Sequence, residues 1–198
     1  MIMFRELRIL KKNFENYMLL RKNNPGAWFP YNIQLKEVQY IKLGRHTHLG
    51  DGCKLYCWDS YNGEKLEHAP SISIGDCVSV TAELTIQCIN SVRIDDYALL
   101  ASNVCILDYN HCLSPENKSY LEGPLESSAG GVRLKEGCWI CNNVIILPGV
   151  TIGKKSIIAA GSVVTHDVPD YTIAGGNPAR ILKRYDDQLK EWVRCEAG

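Results

Sequence analysis

The sequence predicts an all-β fold, a parallel β-helix built from hexapeptide repeats. An aliphatic side chain returns at every sixth position: Leu134, Ile140, Ile146, Ile152, Ile158 and Val164. Four positions after each comes a small or β-branched residue: Cys138, Val144, Val150, Ser156, Ser162 and Val168. A helix repeats near 3.6 residues and a half-buried strand near two, so neither accounts for this period. Coils of stacked hexapeptides account for it, with both sets of side chains inside the coil.

The same period extends towards the N-terminus with two interruptions. It is carried by Leu43, Leu49, Leu55, Ile74, Val80, Ile86 and, after a shift of two residues near Asn90, by Ile94, Leu100 and Ile106. Residues 58–71 are polar and contain Asn62-Gly63, which predicts a hairpin or loop. Residues 113–131 are rich in Pro, Gly, Ser and Glu. Loops that leave a rigid solenoid commonly carry function.

The two ends of the chain differ from the repeats. Residues 1–26 are predicted to form a helical segment, because apolar residues recur among Lys, Arg and Asn until Asn24-Pro25-Gly26. Gly175-Gly176-Asn177-Pro178 ends the coil, and residues 185–196 resemble a short amphipathic helix. The expected organisation is an N-terminal helix in 1–26, a β-helix domain in 27–180 and a C-terminal helix in 181–198.

The amino-acid composition limits where the protein is expected to be located and which classes of partner it is expected to bind. The 198 residues include 22 basic and 22 acidic ones, so no overall field favours nucleic acid or an anionic membrane. No apolar run approaches the ~20 residues of a membrane span. The nine cysteines are odd in number and irregularly spaced, and the N-terminus is too charged for a secretory signal. We expect reduced thiols, a cytoplasmic protein, no membrane span and no nucleic-acid partner.

His111 is the sharpest candidate for chemistry. It directly precedes the second irregular segment, where a neutral imidazole could take a proton from a hydroxyl or an amine. Asp108 and Asn110 are close enough in sequence to orient the ring or to bind substrate. The alternative is a surface turn in which Asp and Asn only cap the local backbone.

Positive charge gathers near the end of the repeats, at Lys154, Lys155, Arg180, Lys183 and Arg184. Such a cluster could hold a polyphosphate. The alternative is a solvated basic rim.

Several segments, in this order, resemble the hexapeptide-repeat O-acetyltransferases. They are Asp108-Tyr-Asn-His111, Gly137-Cys-Trp-Ile, residues 146–153 (ILPGVTIG), residues 160–165 (AGSVVT) and residues 176–180 (GNPAR). The resemblance covers about residues 70–184. It is greatest to the maltose/galactoside acetyltransferase-like branch and its polysaccharide-modifying relatives. It implies a left-handed β-helix, a homotrimer with active sites between subunits, acetyl-CoA as acyl donor, and no metal requirement.

The resemblance also implies roles for individual residues. His111 matches the catalytic histidine, and Glu83 matches a position near the acceptor. The positions matching cofactor contacts are Trp139 in the cleft wall, Asn142 and Ala160 at the pantetheine arm, Thr165 and His166 at the following pair, and Arg180 and Lys183 near the nucleotide. His166 stands where relatives often carry Lys, and Tyr109 where they often carry a second His.

The expected function is acetyl-CoA-dependent O-acetylation of a sugar or saccharide hydroxyl, by direct transfer with His111 as general base. An amino-sugar N-acetyltransferase and a non-catalytic hexapeptide scaffold are the alternatives. A γ-class carbonic anhydrase shares the β-helix but needs three His ligands for zinc. The five histidines of this chain are scattered through the sequence, which disfavours that function.

Overall fold

The computed structural model describes residues 2–128 and 130–195, with side chains from residue 8 onwards. Its centre is a column of stacked coils with three sides, and each side is a parallel β-sheet. The chain passes from sheet 1 to sheet 2 to sheet 3 in each coil. The parallel β-helix predicted from the six-residue period is confirmed.

Sheet 1 consists of β1 (Gln34–Lys36), β4 (Lys54–Cys57), β9 (Thr85–Cys88), β12 (Cys105–Leu107), β17 (Ile145–Ile146) and β20 (Val163–Val164). Sheet 2 consists of β2 (Ile41–Leu43), β7 (Ser71–Ile74), β10 (Ser91–Ile94), β15 (Val132–Leu134) and β18 (Thr151–Ile152). Sheet 3 contains the parallel strands β3 (His48–Asp51), β8 (Ser79–Ala82), β11 (Leu99–Leu100), β16 (Trp139–Ile140), β19 (Ile157–Ile158) and β21 (Thr172–Gly176). A short 3-10 helix, Val38–Tyr40, joins β1 to β2.

The core is a set of side-chain ladders inside the column. Along sheet 1, Leu55, Ile86, Ile106 and Ile146 stack in register from one coil to the next. Every aliphatic residue of the predicted period is buried, and so are the small residues that follow in the 134–168 block. Because each coil contacts only its neighbours, stability accumulates coil by coil.

Two excursions leave the column at the corner between sheets 1 and 2. The first is a hairpin of β5 (Ser60–Tyr61) and β6 (Glu64–Lys65), whose turn has positive φ at Asn62 (51°) and Gly63 (86°). This is the hairpin that Asn-Gly predicts. The second excursion contains the antiparallel pair β13 (Tyr109–His111) and β14 (Leu125–Ser127). It begins directly after Leu107, earlier than the expected boundary at residue 113.

Helix α1 (Ile2–Asn23) is present within the segment predicted to be helical. Its C-terminal half docks on the first coil through the buried side chains of Tyr17 and Leu20. The Asn24 side chain accepts the Leu43 N–H at 2.7 Å and thereby links the end of α1 to sheet 2. The apolar residues Ile9, Leu10 and Phe14 are exposed, and the side chains of Phe4 and Leu7 lie outside the described part.

The predicted C-terminal helix in 181–198 is wrong through residue 195, and residues 196–198 lie outside the described part. The chain instead forms β22 (Ala179–Asp186) and β23 (Glu191–Arg194), which extend sheet 3. β22 pairs antiparallel with β21, and β23 pairs antiparallel with β22. Tyr185 and Trp192 meet across the hairpin with ring centroids 5.4 Å apart. The aromatic residues whose spacing resembled a helical face instead form this cross-strand pair. The edge of β21 supplies the backbone hydrogen-bond partners of β22.

Candidate active site

The centre of the candidate site is His111, on the first strand of the second hairpin. Its half-buried ring faces the first hairpin, where the Tyr61 hydroxyl oxygen lies 3.3 Å from His111 Nδ1. The two aromatic rings meet edge to face with centroids 5.8 Å apart. Among the described residues, His111 Nε2 has no hydrogen-bond partner. The ring therefore presents one nitrogen that is available to a substrate.

Asp108 lies at the base of the same hairpin and is fully buried. Its Oδ1 accepts the Ile89 N–H at 2.8 Å, and its Oδ2 accepts the Asn90 N–H at 2.9 Å. The structure thus places Asp108 as a support beneath β13. A direct contact with substrate would require its carboxylate to leave both donors.

The thiol of Cys88 completes the surroundings of Asp108. It donates to Asp108 Oδ2 at 3.1 Å. A hydrogen bond with the Cys57 thiol, then burial and the nearby Asp108 carboxylate, raise the pKa of Cys88 well above its usual range. Cys88 therefore stays protonated and keeps its proton available to the carboxylate.

Two neighbours of His111 on the same strand have different surroundings. Tyr109 lies beside His111 with ring centroids 6.5 Å apart, and its hydroxyl donates to Gln87 Oε1 at 2.9 Å. Burial raises the pKa of Tyr109. Asn110 is exposed, and strand alternation turns its side chain to the face of the hairpin opposite His111.

Glu83 is not brought to His111 within one chain. It lies at the corner between sheets 3 and 1 with a φ of 54°, just before β9. The register pairs Gln87 with Leu107, so Glu83 precedes the level of Leu107 by four residues. At roughly 3.3 Å per residue, about 13 Å of strand separates Glu83 from the end of sheet 1 where the His111 hairpin begins.

Of the predicted cofactor contacts, Trp139, Asn142 and Ala160 lie close together on one side of the column. Trp139 projects from the outer face of sheet 3 with 45% of its surface exposed. Asn142 and Ala160 occupy successive coils at the corner between sheets 3 and 1. Asn142 Oδ1 accepts the Ser102 N–H at 2.9 Å, and its carbonyl accepts the Gly161 N–H at 2.9 Å.

The remaining cofactor candidates form two smaller groups. Thr165 and His166 follow β20 at the far end of sheet 1, with Thr165 Oγ1 2.8 Å from His166 Nδ1. Arg180 and Lys183 lie on β22, opposite Gly175 and Ile173. Lys154 is not part of a free basic patch, because its Nζ pairs with Glu136 at 3.0 Å.

An open cleft of about 490 Å³ separates the two hairpins. Tyr61, Asn62 and Glu64 line it from the first hairpin, and Glu122, Pro124 and Leu125 line it from the second. Leu125 is the cross-strand partner of His111, so the cleft adjoins the candidate base. Its volume falls within the range typical of small-molecule sites.

Tyr61 is the residue that sequence reasoning missed. It lies in the polar segment 58–71, and its only local signal is an aromatic residue directly before an Asn-Gly turn. Its contact with His111 joins residues 50 positions apart and depends on the meeting of two excursions. A period-based analysis of the coils cannot detect such a contact.

The described residues contain no group of three or more His, Cys, Asp and Glu side chains that could hold a metal ion. In the same part of the chain, no helix is both long and apolar enough to cross a membrane.

Comparison with known proteins agrees with the hexapeptide repeat. The family described as bacterial transferase hexapeptide (six repeats) matches residues 131–166. The chain is 36% identical to the "Putative lipopolysaccharide biosynthesis O-acetyl transferase WbbJ" of Escherichia coli (strain K12), over 78% of this chain and 77% of that protein. The chain belongs to the hexapeptide-repeat acetyltransferases. It is also 34% identical to the galactoside O-acetyltransferase of the same organism, over 63% of this chain and 60% of that protein.

Solved structures share the fold of this hexapeptide-repeat acetyltransferase. One is AntD, an N-acyltransferase from Bacillus cereus in complex with dTDP and 3-hydroxybutyryl-CoA, with a TM-score of 0.68 and 18% identity. The alignment covers 87% of this chain and 89% of AntD. Another is PerB from Caulobacter crescentus with CoA and GDP-perosamine, with a TM-score of 0.55, 19% identity and coverage of 78% and 56%. The matches to WbbJ and the galactoside enzyme identify the present chain as an acyltransferase that uses acetyl-CoA.

Proposed function

We propose that this enzyme transfers the acetyl group of acetyl-CoA directly to a hydroxyl of a sugar or saccharide, with His111 as the general base. The observation that carries the proposal is the position of His111, whose Nε2 is unpartnered among the described residues and which adjoins the cleft between the hairpins. A polar cleft of this size beside a basic nitrogen suits a hydroxyl-rich acceptor.

In the proposed reaction, His111 Nε2 removes the proton of the acceptor hydroxyl while the oxygen attacks the thioester carbonyl. The carbon–oxygen bond forms, the carbon–sulfur bond breaks, and the CoA thiolate recovers the proton from the imidazolium. A positioned base of this kind typically contributes about 10²–10⁴-fold to the rate. Because attack is direct, no acyl-enzyme intermediate is formed.

The acetyl-CoA site is proposed to lie between two subunits of a left-handed β-helical homotrimer. Ala160 and Thr165 flank opposite ends of the single strand β20, about 16 Å apart along the chain at roughly 3.3 Å per residue. Contact between the outer faces of sheets 1 and 3 of neighbouring chains would bring the separate groups together. Exposed apolar residues on both faces, Leu99 and Trp139 on sheet 3 and Ile145 on sheet 1, support such an interface.

Within that site, Trp139 would line the cleft wall, and Asn142 and Ala160 would contact the pantetheine arm. Thr165 and His166 would follow along the cofactor, and Arg180 and Lys183 would lie near the nucleotide phosphates. Asn110 and Glu83 would contact acceptor only across a subunit boundary. For Asp108 we propose a supporting role in place of the substrate contact inferred from sequence.

A cytoplasmic location fits the state of the thiols. All nine cysteines, each within the described residues, are free, and several are buried in the core. Free thiols persist in reducing compartments. We therefore place the acetyl transfer in the cytoplasm.

A second candidate is N-acetylation of an amino sugar. Two proteins that share the fold were solved with nucleotide-linked amino sugars. A mutant of AntD, an N-acyltransferase, was solved with dTDP-4-amino-4,6-dideoxyglucose, and PerB was solved with GDP-perosamine. The relatives with higher identity, WbbJ and the galactoside enzyme, are both named as O-acetyltransferases. That difference in identity favours the hydroxyl acceptor.

The proposal is tested by thiol release from acetyl-CoA against neutral sugars, oligosaccharides, nucleotide sugars and amino sugars. The expected result is turnover with a hydroxyl acceptor and a product that mild base hydrolyses, as for an ester. A base-stable product formed only with amino sugars would instead establish the second candidate. If CoA bound saturably but no acceptor in the panel supported thiol release, both the hydroxyl-sugar and the amino-sugar proposals would be contradicted.

A further inference from the structure

The phenol of Tyr61 is the only described side chain that makes a hydrogen-bond contact with the ring of His111. The same hydroxyl makes another contact with the second excursion, since it lies 3.0 Å from the Leu121 carbonyl oxygen. The neighbouring Asn62 side-chain amide donates to the same carbonyl at 2.8 Å. The tip of the first hairpin is therefore anchored on the loop that closes over the His111 strand.

The number of hydrogens on the Tyr61 hydroxyl determines which group donates in each of these contacts. A tyrosine hydroxyl has one hydrogen to donate and lone pairs to accept. The Leu121 carbonyl can only accept, and its 3.0 Å separation is shorter than the 3.3 Å to His111 Nδ1. When the hydroxyl hydrogen points to Leu121, the phenol oxygen presents a lone pair to His111. The matching imidazole form carries its hydrogen on Nδ1 and leaves Nε2 bare.

We propose that Tyr61 is a positioning residue that holds neutral His111 in the Nδ1–H tautomer, so that Nε2 is the basic nitrogen. The proposal rests on the proposed function for its kinetic consequence, but the tautomer itself is a property of the resting protein. The second nitrogen of a histidine is commonly set by the bond that the first one makes. Here the acceptor of the Nδ1 hydrogen is the Tyr61 hydroxyl oxygen, which lies on the first hairpin while His111 lies on the second.

The alternative arrangement has the opposite chemical consequence. If Tyr61 donated its hydrogen to His111 Nδ1, the neutral ring would carry its proton on Nε2. The nitrogen without a protein partner could then donate but could not remove a proton. The direction in which Tyr61 donates its hydrogen, to the Leu121 carbonyl at 3.0 Å or to His111 Nδ1 at 3.3 Å, therefore determines whether His111 Nε2 can act as a base.

The variant Tyr61→Phe removes the phenol oxygen and keeps the aromatic ring. Loss of one net hydrogen bond is expected to lower the ratio of Nδ1–H to Nε2–H tautomer about fivefold. Turnover follows the fraction of His111 in the Nδ1–H form, so it is expected to fall by at most about fivefold. KM for acetyl-CoA is expected to be unchanged, because the proposed cofactor contacts lie elsewhere. Tyr120→Phe is the matched control, since Tyr120 is exposed, adjoins Leu121 and makes no described hydrogen bond.

The test is long-range proton–nitrogen NMR correlation on the full chain labelled with ¹⁵N-histidine, at about pH 8.5, roughly two units above an ordinary histidine pKa. The five histidines are distinguished by the signal lost in His111→Asn. The expected result is a wild-type His111 protonated on Nδ1, a lower Nδ1–H fraction in Tyr61→Phe, and no change in Tyr120→Phe. A wild-type ring protonated on Nε2, or an equal ratio in Tyr61→Phe, overturns the proposal. Failure of acetyl transfer would leave this readout intact, so the two proposals fail separately.

Discussion

The carboxylate of Asp108 holds the backbone N–H of Asn90, eighteen residues earlier in the chain, at 2.9 Å. Asn90 lies at the tight corner that separates the two excursions along the column. Asp108 directly precedes β13, the strand that carries His111. The position of the candidate base is therefore tied to a neighbouring coil of the rigid core.

Replacing Asp108 with Ala is expected to lower the free energy of unfolding by about 3 kcal/mol, because two backbone N–H groups lose a charged acceptor in a buried place. Urea unfolding followed by circular dichroism measures the change. Asn110→Ala is the control, since Asn110 is an exposed neighbour on the same strand and its loss should stay within about 0.5 kcal/mol. Equal stability of the two variants would show that Asp108 does not support the corner.

Trp139 is expected to contribute to acetyl-CoA binding through contact of its indole with the cofactor. Trp139→Ala should weaken binding roughly tenfold, which is the upper range for an aromatic contact. Isothermal titration with CoA measures it. Trp28→Ala provides the matched control, because Trp28 is 49% exposed on the same side of the column and stacks on His48 at the far end. Similar weakening in both variants would place the cofactor elsewhere.

The Lys135–Asp170 ion pair, with its 3.0 Å separation, predicts a pH-dependent part of the stability. The Lys135 side chain, then the Lys154 N–H, hold the pKa of Asp170 below its usual range. A carboxyl group with a lowered pKa stabilises the folded state above its unfolded pKa, and this stabilisation is lost as pH falls through the folded value.

The difference in unfolding free energy between wild type and Asp170→Asn should therefore be present at pH 7 and shrink below about pH 4. Urea unfolding across this pH range measures it. Asp187→Asn is the control, because Asp187 is exposed in the turn before β23 and, among the described side chains, forms an ion pair with Lys190 alone. A wild-type advantage of the same size at pH 3 and pH 7 would show that the ion pair has no such role.

Much of the fold could be predicted because its dominant interaction repeats. Ile140 and Ile158 are buried one coil apart because each coil must fill the same prism, and sequence spacing alone reveals that requirement. The Asn62-Gly63 hairpin was predictable since few residue pairs adopt its backbone conformation readily. The C-terminal strands were not, because the edge of β21 determines them and local propensity does not.

The site was predictable only in part, for a related reason. His111 stands out by residue type and by its position before an irregular segment. Asp108 was expected to meet substrate, yet its partners at Ile89 and Asn90 become visible only when adjacent coils stack. Tyr61 could not be predicted, because its role depends on two excursions that share a corner of the column.

The measurement that tests the central claim most directly compares kcat of wild type and His111→Asn with the acceptor that supports turnover. Asparagine retains much of the side-chain shape but cannot act as the base. The account predicts that kcat falls about 10²–10⁴-fold, with the CoA dissociation constant and the melting temperature unchanged. A variant that kept more than a tenth of wild-type kcat would show that His111 is not the general base.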